Sequence, residues 1–185
     1  MMTLKFMIVS LMLVFVAGCS SGTKIDFAEY LLPTKNLIVE SKYGEVHSKA
    51  TYVVEGKTIL EARETLAPSS LKGVIVKKWD IEDDGIYLTV KDMFTGDKIK
   101  RKYADRELSI SKGTVMNING GEYSVLDMGQ TIDSIIGKLS PCIIVKKDSK
   151  RGSSKRTYCK GYGEMQSEEN STGDEPAIVE IVSIK

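Results

Sequence analysis

The chain has 185 residues, 26 Lys and Arg against 25 Asp and Glu, a net charge of +1, and 7% aromatic residues. That length gives room for one domain with a real core, and the even charge argues against a dedicated nucleic-acid binder, which needs a net basic face. Only four prolines and 42% hydrophobic residues argue against wholesale disorder, and no internal repeat is visible.

The chain opens on Lys5, an apolar run from Phe6 to Phe15, and then Val16-Ala17-Gly18-Cys19. A membrane-spanning helix needs about 20 apolar residues. Phe6 to Ala17 is only 12, which suits the apolar core of a signal peptide better than a span or a buried core helix. Val-Ala-Gly also suits an ordinary secretory signal, but Cys19 stands in the one position that lipidation demands. The order of charge, apolar run and small residues before a cysteine resembles the lipobox of bacterial lipoproteins. That resemblance implies cleavage between Gly18 and Cys19, with two or three acyl chains on Cys19. Each buried methylene contributes about 0.8 kcal/mol, so two or three chains make a durable anchor. Ser20 rather than Asp at the next position resembles chains sorted to the outer membrane, facing the periplasm. On this reading residues 1–18 are the signal, 19–24 a lipidated tether, and 25–185 a single β domain. Loss of Lys5 leaves 25 basic against 25 acidic side chains.

In Ile25 to Leu32, Asp26 is a candidate N-cap and Pro33 a stop; Phe27, Tyr30 and Leu31 share one helical face. An extended arm reads nearly as well. The stretch Phe-Ala-Glu-Tyr-Leu-Leu-Pro resembles uncharacterised lipoproteins of the Campylobacter and Arcobacter kind, with no activity implied. Strand patterns follow at Leu37–Val39, Ala50–Val54 and Thr58–Leu60, with Glu55-Gly56 as a turn and Ala67-Pro68-Ser69-Ser70 as a break. Gly73 to Trp79 is rich in β-branched residues, and Asp83-Asp84-Gly85 is a hairpin signal. Ile86, Leu88 and Val90 alternate with Tyr87, Thr89 and Lys91, the period-2 mark of a sheet with one wet face. Thr95-Gly96-Asp97 turns into Ile99, Arg101 and Tyr103; Leu108 and Ile110 alternate likewise. Val115 to Ile118 runs into the tight turn Asn119-Gly120-Gly121, and Tyr123 to Leu126 leaves it. Thr131 to Leu139 reads equally as a short helix or an irregular strand. A polar loop is expected from Ser167 to Asp174 and a last strand from Ala177 to Ile184. Short strands joined by local turns predict a mainly β fold: a curved antiparallel meander, half-barrel or barrel-like, with at most one or two short helices.

With Cys19 taken by lipid, Cys142 and Cys159 remain as an even pair, and an exported chain meets an oxidising compartment. A hairpin turning at Lys150-Arg151 sets the two opposite each other, within disulfide reach. A redox-active pair would use the closer Cys-x-x-Cys spacing. The stretch Tyr158 to Glu164 is similar to the closing hairpin of periplasmic lipoproteins built as curved half-barrels, where a Tyr-x-x-Gly-x-Gly strand recurs. Gly161 and Gly163 leave one face bare, which fits a sharp bend or the close approach of another group, or a groove for a lipid-like ligand.

No catalytic set can be named. His47 stands alone in a polar stretch, and neither a Gly-x-Ser-x-Gly elbow nor a phosphate loop occurs. Asp80, Glu82, Asp83 and Asp84 read as a solvated hairpin tip rather than a calcium loop, since the EF-hand order is missing; no metal site is expected. Lys146, Lys147, Lys150, Arg151, Lys155 and Arg156 crowd one hairpin. Such a run is ordinarily a solvated edge, and Glu164, Glu168, Glu169, Asp174 and Glu175 follow closely enough to neutralise it. Unpaired, it would meet anionic lipid headgroups or an acidic protein. The sequence therefore predicts a lipid-anchored, non-catalytic binding or assembly module of the cell envelope. A carrier of lipid-like ligands is the alternative, and an envelope hydrolase ranks third. The expected partners are the membrane, through the anchor, and an envelope protein or lipid ligand. No nucleic acid and no cofactor beyond the covalent lipid are expected.

Overall fold

The computed structural model describes residues 22–68, 73–91, 96–150, 152–171 and 177–185. The expected signal at 1–18 with Gly18, and Cys19, Ser69, Ser70, Thr95, Arg151, Asp174 and Glu175, lie outside the described residues. The elements in order are β1 (Thr23–Asp26), α1 (Ala28–Leu31), β2 (Leu37–Tyr43), β3 (Val46–Glu55), β4 (Thr58–Ala67), β5 (Gly73–Ile81) and β6 (Ile86–Lys91). β7 (Lys98–Ala104), β8 (Glu107–Ile110), β9 (Val115–Ile118), β10 (Gly121–Ser134), β11 (Gly137–Ser149), β12 (Gly152–Cys159), β13 (Gly163–Ser171) and β14 (Ala177–Ile184) follow.

Among the described residues twelve strands form one antiparallel sheet that closes in the order β10, β11, β12, β13, β14, β2, β3, β4, β5, β6, β7, β9. Closure fits the turn chemistry: Asn119 and Gly120 take the positive φ that a tight hairpin demands. The seam between β7 and β9 is narrow, with Ala104 facing Ile118 and the Asn119 amide donating to the Tyr103 carbonyl at 2.6 Å.

The β domain begins earlier than the expected boundary at residue 25. Thr23 and Lys24 already pair with Ile110 and Ser109, in the two-stranded sheet of β1 and β8. Both readings of the next stretch are realised, a strand through Asp26 and then one helical turn. The Asp26 Oδ1 accepts the Ala28 amide at 3.0 Å. Leu32 leaves the helix extended, as a residue before proline must. Phe27, Ala28, Tyr30, Leu31 and Leu32 are all buried, in one cluster with Trp79, Ile86, Ile118, Val125, Ile143, Val145 and Tyr158. The N-terminal segment is therefore a plug: Phe27 meets Tyr158 edge-on at 5.9 Å.

The glycine pair serves a sharp turn and the close approach of another segment. Gly161 and Gly163 sit at the β12–β13 turn with φ of 82° and 84°. A Cβ on Gly163 would lie 3.1 Å from the Leu31 carbonyl oxygen, and one on Gly161 would lie 3.2 Å from Thr34 Oγ1. Among the described residues the bare face is thus taken by Leu31 and Thr34 of the plug rather than by a groove for a lipid-like ligand.

One further stretch differs from the reading and another decides between two. Ser167 to Ser171 belongs to β13, because its polar side chains find cross-strand partners: Lys155 faces Glu168 and Ser154 faces Glu169. Thr131 to Leu139 takes the irregular-strand reading and not the helix, with a turn at Ile135-Ile136. It is a hairpin end in which Ile132 faces Leu139 and Ser134 faces Gly137. β9 pairs β10 only from Gly121 to Ser124, and β12 pairs β11 only from Cys142 onward. Residues 131–139 are therefore a two-stranded arm.

Candidate functional site

Two places bring chemistry-bearing side chains together. The first lines the barrel interior. On β4, Ile59, Glu61 and Arg63 share the inward face, and Glu61 is 2% exposed. Its carboxylate accepts from Arg63 Nε at 3.1 Å, Lys77 Nζ at 3.1 Å and Trp79 Nε1 at 2.9 Å. Burial pushes the Glu61 carboxyl up, but Lys77, Arg63 and the hydrogen bonds from Trp79 and Lys77 outweigh it, and the pKa ends lowered. Burial and the Glu61 charge push the Tyr52 phenol up to about 12. Trp79 stands edge-on to Tyr103 at 4.9 Å. Arg156 reaches Glu164 at 3.2 Å and Glu169 at 3.8 Å, with its guanidinium 5.9 Å from the Tyr123 ring centre. Arg156 Nε and the Tyr158 hydroxyl are buried without a hydrogen-bond partner. Glu61, Glu164 and Glu169 each have a cation partner, the geometry of a structural polar core.

Glu61→Gln tests that layer. Losing charge-assisted bonds to three donors should cost about 2 kcal/mol at neutral pH. A carboxyl whose folded pKa is lowered contributes stability above its unfolded pKa and loses it as pH falls through the folded value. The gap between variant and wild type should therefore hold above pH 4.5 and narrow below it, measured by urea titration at pH 7 and pH 3.

The second place is on the outer wall. The arm bends over β12, β13 and β14, and Ile132 and Leu139 pack on Tyr162, Met165, Ile181 and Ile184, over Cys142 and Cys159. Beside this second core runs a groove of about 850 Å³, lined by Ile132, Asp133 and Ile135 of the arm, Lys155 and Thr157 of β12, Met165 to Glu168 of β13, and Ile178, Ile181 and Val182 of β14. Ile135 and Ile178 are each 54% exposed and Val182 45%, so apolar surface faces the groove from both sides. Its size is that of ligand pockets in general, about 300–1,000 Å³.

No family model and no curated protein matches the chain. A solved structure similar to it is a candidate exported protein with a YmcC-like fold from Bacteroides fragilis NCTC 9343, at 10% identity and a TM-score of 0.48, covering 84% of this chain and 98% of that one.

The structure joins Cys142 to Cys159, which face each other across β11 and β12 and are fully buried. The basic residues do not form one face. Period-2 alternation turns Lys147 and Arg156 toward Tyr123 and sends Lys155 to the groove. Lys146 pairs with Asp148 at 2.8 Å. Lys150 is exposed at the turn. Arg156, counted as a surface contact in the sequence, is instead held by Glu164 and Glu169. The acidic hairpin is tied up by cations: Lys78 on Asp80, Lys57 on Asp83, Lys102 on Asp84 and Lys100 on Glu82. Among the described residues no group of three or more His, Cys, Asp or Glu is placed to hold a metal. His47 is exposed. Sequence reading missed Glu61, although its spacing of two from Ile59 marks it as inward. It also missed the groove, whose lining is drawn from four strands between Ile132 and Val182.

Proposed function

We propose that the chain is a lipid-anchored cell-envelope protein acting as a non-catalytic binding or assembly module at the periplasmic face of the outer membrane. The anchor rests on Val16-Ala17-Gly18-Cys19, and the bond between Cys142 and Cys159 suits an oxidising compartment. The observation that carries the choice of module is the filling of the barrel. Phe27, Tyr158, Ile59, Ile86 and Ile118 occupy its interior at 0–2% exposure, and exposed aliphatic surface lines the outer groove instead. A binding surface on the outer wall suits a protein partner. The groove's volume and aliphatic lining also favour a second reading, a carrier of a lipid-like ligand.

Two measurements test this. The Cys19→Ser exchange, or globomycin treatment, should abolish palmitate labelling and envelope attachment of the full chain; if both persist, the anchor is withdrawn. Native mass spectrometry of the purified full chain should show no lipid other than the covalent one, with an envelope protein recovered by cross-linking. A co-purifying lipid would move the assignment to the carrier.

A further inference from the structure

We propose that the arm, residues 131–139, is a hinged flap that closes across the outer groove onto β14. Three observations meet here. The first is the hinge. β10 slips register between Val125 and Asp127, between Met128 and Gln130, and between Gln130 and Ile132. Gly129 in the middle has φ 69° with nothing within 4 Å of a Cβ. At the last slip Thr131 alone stands opposite Ser140 and Pro141, and Pro141 has no amide to donate. A two-stranded ribbon without a third strand is marginal by itself, so the arm depends on its side-chain contacts for its position.

The second observation is apolar surface on both jaws: Ile135 on the arm, Ile178 and Val182 on β14, each about half exposed across open space. Bringing them together removes aliphatic area from water. The third is charge. Asp133 on the arm and Lys155 on the wall both line the groove, and neither has an ion-pair partner among the described residues. Glu168, opposite Lys155, takes a hydrogen bond from Asn170. Closure therefore matches aliphatic with aliphatic and cation with anion. The motion stands whether the groove takes a protein segment or a lipid, and it does not depend on the anchor.

Spin labels at Lys138→Cys on the arm and Glu45→Cys in the β2–β3 turn, in a full chain with Cys19→Ser, report the arm's position by pulsed electron-spin distance measurement. Two populations are expected, one at the separation in the structure and one displaced toward closure. Adding Ile135→Ser and Ile178→Ser should reduce the displaced population about fivefold or more, the equivalent of about 1 kcal/mol of apolar burial. A single narrow distance at the separation in the structure overturns the flap. A displaced population that ignores the two Ser substitutions overturns apolar closure as its cause. Wild-type thermal stability in the labelled and Ser variants separates either result from misfolding.

Discussion

Phe27→Ala is expected to lower the unfolding free energy by about 3–5 kcal/mol, a fall in Tm of roughly 6–20 °C for a chain of this size. Phe27 is wholly buried, and its ring meets Tyr158 at the centre of the core. The backbone around it is fixed independently of the ring. Its amide donates to the Arg106 carbonyl at 2.6 Å, and its carbonyl accepts from Tyr30 and Leu31. The surroundings therefore cannot collapse into the space the ring leaves, which puts the cost in the upper range for large-to-small changes. Phe27→Leu should cost less than half as much. Urea denaturation followed by circular dichroism checks both. A loss below about 1 kcal/mol for Phe27→Ala would mean that the segment before β2 does not plug the barrel in solution.

Replacing Cys142 and Cys159 together by Ala should cost about 3 kcal/mol, the chain-entropy value for a loop of this size. The sequence separation is 17. Alanine is the better probe than serine because both sites are fully buried, and a hydroxyl there would carry its own desolvation penalty. The bond also lies beneath Ile132 and Leu139, so the loss should reach the arm: amides of residues 131–139 should exchange faster in the double variant. Alkylation followed by mass measurement without reductant should find neither cysteine modified. Two free thiols at these positions would remove both the bond and the compartment argument built on it.

Much of the fold is legible because a meander is written locally. Asp83-Asp84-Gly85 and Asn119-Gly120-Gly121 mark turns by residue chemistry, and Ile86, Leu88 and Val90 mark a face by period. The pairing of Cys142 with Cys159 follows from the same logic, since a hairpin sets residues equidistant from its turn opposite each other. The stretches that resisted are those whose state depends on distant partners. Thr131 to Leu139 carries Ile132, Ile135 and Ile136 at a spacing that fits either a helix or a strand. Only docking on Tyr162, Met165 and Ile181 makes it an arm. Ser167 to Ser171 looks like a loop because it is polar throughout, yet Lys155 and Ser154 give it strand partners. Gly161 and Gly163 are bare because Leu31 and Thr34, about 130 residues earlier, lie against them.

The sequence by itself determined the turns, the alternation of wet and dry faces, the cysteine pairing and the likeness of residues 16–19 to a lipobox, because each depends on residues close together in the chain or on one hairpin's symmetry. The tertiary structure alone decided that the sheet closes, that Phe27 to Leu32 fills it, that Glu61 shares its charge with Arg63 and Lys77, and that an arm overhangs a groove. Apart from Arg63 beside Glu61 on one strand, those features rest on contacts between residues far apart in sequence, whose free energy comes from burial and charge pairing that no local pattern encodes.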